Sequence, residues 1–148
     1  MWTLTEVAAA LGVGVSPING AQWVSSVVTD TRKIIPGCLF VALKGPRFDG
    51  HAFVEQAREQ GAVAALVERQ VESALPQLVC SDMRLGLGLL AKAWRRRFDL
   101  PLIAVTGNSG KTTVKEITAA LLSPLGDVLA TSGNLNNDIG APLTLLRL

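Results

Sequence analysis

Val105-Thr106-Gly107-Asn108-Ser109-Gly110-Lys111-Thr112-Thr113 is the stretch on which the fold turns. An apolar run, Leu102 to Thr106, leads into a loop with two glycines, and Gly-Lys-Thr opens a segment with helical spacing, Lys111 to Leu122. These are the parts of a phosphate-binding loop. Glycines let the backbone approach a polyphosphate and take dihedrals that other residues avoid. Successive amides and a helix N-terminus aim partial positive charge at the anion. In such a loop Lys111 reaches the β- and γ-phosphates, and the Thr112 hydroxyl ligates Mg²⁺. The strict pattern G-x-x-x-x-G-K-[ST] puts its first glycine at residue 105, which is Val105. The loop is therefore a shorter form, Thr-Gly-x-x-Gly-Lys-Thr. A strand before it and a helix after it, with Val114, Ile117, Thr118 and Leu121 on one packing face, favour nucleotide binding over a chance glycine turn. Lys115 and Glu116, next on that helix, read as an exposed adjacent pair.

Working outward, the segment after the helix, Val128 to Thr131, reads as another strand, so residues 101–148 open a parallel α/β sheet. Phe98-Asp99-Leu100-Pro101 looks like a boundary, because the residue before proline resists helix. Ahead of it lies a small mixed α/β domain over residues 1–100. Thr3-Leu4-Thr5-Glu6 fits a capping box, with a helix that Gly12 stops. Trp23 to Thr29 is strand-like, and Leu39 to Leu43 suits a buried strand. Phe53, Ala57 and Gln60 lie on one face of a helix ending at Gly61. Ala62 to Val67 and Leu75 to Cys80 read as two more strands. Asp82 is a candidate N-cap for a helix with Leu85, Leu89, Leu90 and Ala93 on one face and Trp94 beside it. Arg95, Arg96 and Arg97 close that helix, where cations complement the macrodipole. The fold class is thus α/β throughout.

Composition narrows the function. The chain has 148 residues, 49% of them hydrophobic and 18% charged, which suits a packed core rather than disorder. Mean hydropathy is +0.36, yet no apolar run approaches the roughly 20 residues of a membrane span. The net charge is only +2, and the one basic cluster is too short for a nucleic-acid tract. Cys38 and Cys80 lack metal-ligand spacing with the lone His51 and read as buried free thiols. No secretory signal is evident at the N-terminus, so the expected compartment is the cytoplasm.

Four segments together are similar to the Mur ligases of bacterial cell-wall synthesis. They are Thr29 to Lys33, Pro36 to His51, Val105 to Glu116, and Gly133-Asn134-Leu135-Asn136-Asn137-Asp138-Ile139-Gly140-Ala141-Pro142-Leu143. They run in family order, and the short Gly-Lys-Thr loop is the family's variant. The resemblance implies a UDP-substrate-binding domain over residues 1–100 and the beginning of an ATP-binding domain over 101–148. The Asn-Leu-Asn-Asn-Asp-Ile-Gly run is similar to the member that joins D-alanyl-D-alanine to UDP-N-acetylmuramoyl-tripeptide. That reaction uses ATP and Mg²⁺ and passes through an acyl phosphate.

Carried over by position, the resemblance gives Gly107, Asn108, Ser109, Gly110, Lys111, Thr112 and Thr113 to the ATP phosphates. Lys111 meets the transferred phosphate and Thr112 the Mg²⁺, which makes these two the catalytic pair. Asn137 also falls to ATP, while Asn134 falls to the UDP-substrate and Asn136 stands beside them. Asp30, Thr31, Arg32, Lys44, Arg47 and Asp49 stand where the family meets the UDP-sugar, and Arg32, Lys44 and Arg47 would offset pyrophosphate charge. His51 either contacts uracil or diphosphate, or is an ordinary residue at a helix start. Asp30 either meets the ligand or caps the next turn.

The family's second Mg²⁺-binding glutamate, carbamoylated lysine, most adenine contacts and D-alanyl-D-alanine domain fall beyond Leu148. The expectation is a monomeric fragment that binds the UDP-substrate and lacks ligase activity. Two alternatives stand beside it: a stand-alone UDP-sugar-binding module with a vestigial phosphate loop, and an unrelated P-loop kinase or GTPase.

Overall fold

In the computed structural model, residues 2–14, 22–46, 48–133, 135 and 137–148 are described. Of the sequence-based site residues, Arg47 and Asn134 lie outside them, as does Asn136. The chain divides into two compact units, Met1–Leu90 and Ala91–Leu148.

The first unit is built on a four-stranded parallel sheet in the order β3-β4-β5-β6, with β3 at Ser26–Val28, β4 at Cys38–Val41, β5 at Ala64–Val67 and β6 at Gln77–Val79. The two central strands are buried along their whole length, as continuous apolar runs in a parallel sheet should be. Side chains alternate between faces. Cys38, Phe40, Ala65 and Val67 pack with Val54 and Ala57 of helix α2, Val54–Glu59. Leu39, Val41, Leu66 and Leu78 point to the other face and are fully buried there.

A short antiparallel pair, β1 at Trp2–Thr3 and β2 at Trp23–Val24, stands apart from this sheet. The expected continuous strand over 23–29 is therefore two. Ser25 interrupts it, donating its amide to the Gly37 carbonyl at 2.9 Å and its hydroxyl to the Pro36 carbonyl at 3.3 Å, so the chain changes partners there. Helix α1, Leu4–Leu11, carries the capping box that the sequence predicts. The Glu6 amide donates to the Thr3 hydroxyl at 3.3 Å, and the Thr3 amide donates back to the Glu6 carboxylate at 2.7 Å.

Helix α3, Met83–Arg95, starts under Asp82, whose Oδ1 accepts the amides of Arg84 at 3.0 Å and Leu85 at 2.9 Å. Its buried stripe is Met83, Leu87, Leu90, Ala91 and Trp94, not the expected Leu85 face, and Leu85 is exposed. The stripe shares Leu90 with the expected face and is otherwise two positions away from it, and Gly86 lets the helix approach Cys80 and Leu11, whose atoms would lie 3.0 and 3.5 Å from a Cβ at that position. Phe53 is likewise exposed, since a 3-10 turn over Gly50–Phe53 precedes α2 and turns the buried face to Val54 and Ala57. Cys38 is buried as expected, but Cys80 is only half-buried, near the end of the edge strand β6.

The second unit contains α4, Lys111–Leu122, and α5, Gly140–Leu145. Arg95 donates to the carbonyls of Phe98 and Leu100 and so closes the end of α3. The Trp94 indole donates to the Leu148 carbonyl at 3.1 Å. The two expected strands, 102–106 and 128–131, carry no ladder hydrogen bonds. A strand needs a neighbour for its amides, and no described strand lies beside either segment. Leu102, Ile103, Val128 and Leu129 are exposed as a result, and so is the expected packing face of α4, with Val114, Ile117 and Leu121 open to solvent. No helix among the described residues is long and apolar enough to cross a membrane.

Candidate functional site

Two sets of candidate residues stand one in each unit. In the second unit the loop 107–110 ends at the N-terminus of α4. Gly107 has φ 149° and Gly110 has φ 77°, both in the region that only glycine enters cheaply. Among the described residues no side chain caps the helix, so its first amides keep their partial positive charge for another partner. Lys111 folds over the loop, its Nζ donating to the carbonyls of Gly107 and Asn108. Its ammonium thus hangs above the same backbone that presents the helix amides. Thr112 and Thr113 are exposed in the first turn of α4, and Asn108 and Ser109 are exposed in the loop. An uncapped helix start, two left-handed glycines and a lysine curled over them fit a polyphosphate. The lone Thr112 hydroxyl suits a hard cation shared with phosphate oxygens rather than one held by protein alone.

Lys115 departs from the expected exposed pair. It does meet Glu116 at 2.8 Å, but its side chain is only 18% exposed. Its Nζ also donates to the Thr131 carbonyl at 2.6 Å, tying α4 to the segment 128–131. Asn137 places its side-chain oxygen on the amides of Gly140 at 2.7 Å and Ile139 at 3.3 Å, the cap of α5.

In the first unit all four sheet strands are parallel, so the loops after them emerge at one edge. That edge is where open α/β sheets collect ligands. After β3, Asp30 caps the 3-10 turn Thr31–Lys33, accepting the Arg32 amide at 3.0 Å. Its carboxylate also takes the Arg32 guanidinium, at 2.7 Å from Nη2. The side-chain bond from Arg32, then its amide, lowers the Asp30 pKa from 3.8 to about 2. The Arg32 side chain is otherwise 87% exposed.

After β4 comes the loop that holds Lys44, Asp49 and His51. Lys44 and Asp49 form an isolated antiparallel bridge, and the Gly45 amide donates to the Phe48 carbonyl at 2.9 Å. Gly50 closes the loop by donating to the Leu43 carbonyl at 2.8 Å. Asp49 Oδ1 accepts the His51 amide at 3.0 Å and lies 2.6 Å from His51 Nδ1. Asp49 Oδ2 accepts Arg69 Nη2 at 3.0 Å. The His51 amide first, then its ring and Arg69, hold the Asp49 carboxyl well below the usual carboxylate range.

Arg69 is the residue that sequence reasoning missed. It stands two positions after the last residue of β5, and its place at the C-terminal edge of a parallel strand was the available signal. Asp49, His51, Glu55, Arg69 and Glu72 line a cavity of about 320 Å³. Three carboxylates against one guanidinium make this cavity unsuited to a diphosphate, whereas Arg32 and Lys44 offer cations elsewhere along the edge.

The model of the Mur ligase family, catalytic domain, matches residues 23–121, and that of the Mur ligase middle domain matches 105–148. The chain belongs to the Mur ligase family. Its curated relatives in that family include the UDP-N-acetylmuramoyl-tripeptide--D-alanyl-D-alanine ligase of Escherichia coli K12, 58% identical over 123 residues, covering 83% of this chain and 27% of that protein. The protein of the same name from Haemophilus influenzae is 51% identical over 84% of the chain and 28% of its own length. Among solved Mur ligases, a crystal structure of MurF from Acinetobacter baumannii superposes with a TM-score of 0.89 at 42% identity, over 99% of this chain and 33% of that one. MurF from Thermotoga maritima in complex with ADP gives 0.75 at 37% identity, over 82% and 28%. The chain therefore spans about 30% of the length of the Mur ligases it matches.

Proposed function

We propose that this chain is the UDP-substrate-binding part, residues 1–100, and the opening of the ATP-binding part, residues 101–148, of an ATP-dependent amide ligase. The ligase would join D-alanyl-D-alanine to UDP-N-acetylmuramoyl-tripeptide in peptidoglycan precursor synthesis, in the cytoplasm and as a monomer. The observation that carries the reading is the uncapped start of α4 under a left-handed glycine loop with Lys111 curled over it. That geometry sits in a chain 58% identical to a ligase of that name.

Bound ATP and Mg²⁺ would supply the phosphoryl group that activates the tripeptide carboxylate. The chain's own part is electrostatic and positional. The amides from Gly107 to Thr113 would hold the phosphate oxygens, with Asn137 nearby in sequence order of the same unit. Lys111 would exchange its carbonyl partners for phosphate and neutralise charge there, and the Thr112 hydroxyl would orient the cation. In the first unit Asp30, Thr31, Arg32, Lys44 and Asp49 would meet the UDP-sugar, along with Arg47, and the family resemblance alone gives Asn134 of the second unit to the same substrate. Arg32 and Lys44 serve the diphosphate by charge. The D-alanyl-D-alanine substrate would be met by parts of the ligase outside these 148 residues.

Calorimetric titration of the 148-residue chain with UDP-N-acetylmuramoyl-tripeptide tests the first half, and the expected result is saturable heat. No heat at millimolar ligand would remove the assignment of residues 1–100. For the second half, Lys111→Ala in a ligase of full family length carrying this chain should slow phosphate release at least about a hundredfold. Binding of the UDP-substrate should stay as it was. Retained turnover would take Lys111 out of the mechanism.

A further inference from the structure

His51 is buried, at 3% exposure, and both of its ring nitrogens already have protein partners. The Glu68 amide donates to Nε2 at 2.9 Å. An amide can only donate, so Nε2 carries the lone pair and the proton sits on Nδ1. Nδ1–H then donates to Asp49 Oδ1 at 2.6 Å, and the ring is neutral. Glu68 follows β5 directly, while Asp49 belongs to the loop after β4. The imidazole is therefore a bridge between the loops of two neighbouring parallel strands. Asp49 extends the bridge through Oδ2 to Arg69, also after β5. Inside the loop, the Lys44–Asp49 bridge and the Gly50–Leu43 bond pass that restraint back to Lys44.

We infer that His51 is a positioning residue and not a ligand of the uridine-linked sugar: it locks the loop 44–50 against the end of β5 so that Lys44 meets the diphosphate in a fixed place. The inference rests on the UDP-substrate reading given above. A ring with both nitrogens bonded to protein has no donor or acceptor left for uracil or phosphate. Breaking either bond to make one would leave the Glu68 amide without its acceptor or strip the Asp49 carboxylate of its short ring N–H bond.

The test uses the 148-residue chain and UDP-N-acetylmuramoyl-tripeptide as the probe. Nitrogen-15 NMR of the His51 ring should show protonated Nδ1 and bare Nε2, unchanged when the ligand saturates the protein. His51→Ala should speed amide exchange at Gly45 and Gly50 and weaken binding about tenfold. His51→Asn keeps a donor for Asp49, and it should recover part of both losses. If the alanine variant fails to fold, the asparagine variant and the wild-type ring spectrum still decide. A ring nitrogen that gains or loses its proton on ligand addition would overturn the inference. So would an alanine variant that binds as tightly as the wild type with unchanged exchange at Gly45 and Gly50. Absence of binding by the wild type would instead bring down the UDP-substrate reading, and this role with it.

Discussion

Asp49 and Asp30 do the same electrostatic work in neighbouring loops. Each accepts a backbone amide two residues on and a cationic or ring N–H donor beside it. Every one of those donors favours the charged carboxylate, so both groups titrate below their ordinary values, Asp30 from 3.8 to about 2 and Asp49 well under the usual range. A carboxylate whose folded-state pKa is depressed adds stability above its unfolded value, and that contribution is lost as pH falls through the folded value. The melting temperature should therefore hold from neutral pH to about pH 4, near the unfolded carboxylate pKa, and drop below it. Asp49→Asn should melt lower than the parent at pH 7, with the two curves converging in acid. Thermal unfolding at a series of pH values checks this, and two parallel curves would show that Asp49 contributes nothing through its charge. Both residues stood out in the sequence as site candidates. So did Arg32 and His51, two positions on from each, but Arg69 did not, because nothing in the chain between Asp49 and Arg69 reveals that β4 and β5 are neighbours.

The loop 44–50 depends on a close approach of backbone to backbone at Gly50. A Cβ on Gly50 would sit 2.6 Å from the Leu43 carbonyl oxygen and 2.8 Å from the Leu43 nitrogen, both backbone atoms that cannot swing aside. Gly50→Ala should therefore push the two arms of the loop apart and cost about 1–3 kcal/mol in stability. Urea unfolding measures the cost, and calorimetry should show weaker binding of the UDP-substrate alongside it. An alanine variant with an unchanged denaturation midpoint would mean that the loop is not held at this point. Short-range chemistry was readable from the chain: the Thr3–Glu6 box, the Asp82 cap and the Gly-Lys-Thr helix start all follow from residues within a few positions of one another. Phase was not. The buried face of α3 depends on Gly86 meeting Cys80 and Leu11, and the pattern of leucines alone favoured Leu85.

The same distinction separates the two units. In Met1–Leu90 the apolar runs predicted as strands find neighbours, parallel in the four-stranded sheet and antiparallel at Trp23–Val24, and β4 and β5 are buried with their ladders complete. In Ala91–Leu148 the runs 102–106 and 128–131 have the composition of buried strands but no ladder, and Leu121 on α4 is 72% exposed. β-Propensity reports how well a side chain fits a pleated surface, and it says nothing about whether a neighbouring strand is there to pair. The Lys115 bond to Thr131 ties 128–131 to α4 at one end. Amide protection follows the free energy of local opening, which buried ladders raise and exposed, unpaired backbone does not. In hydrogen-exchange mass spectrometry of the 148-residue chain, peptides covering 102–106 and 128–131 should exchange at least about a hundredfold faster than those covering β4 and β5. Lys115→Ala should quicken the 128–131 peptide further and leave the β4 peptide alone. Equal protection across both units would show that these segments are paired after all, and the phosphate loop between them would then rest on a formed sheet rather than on the helix start and its lysine.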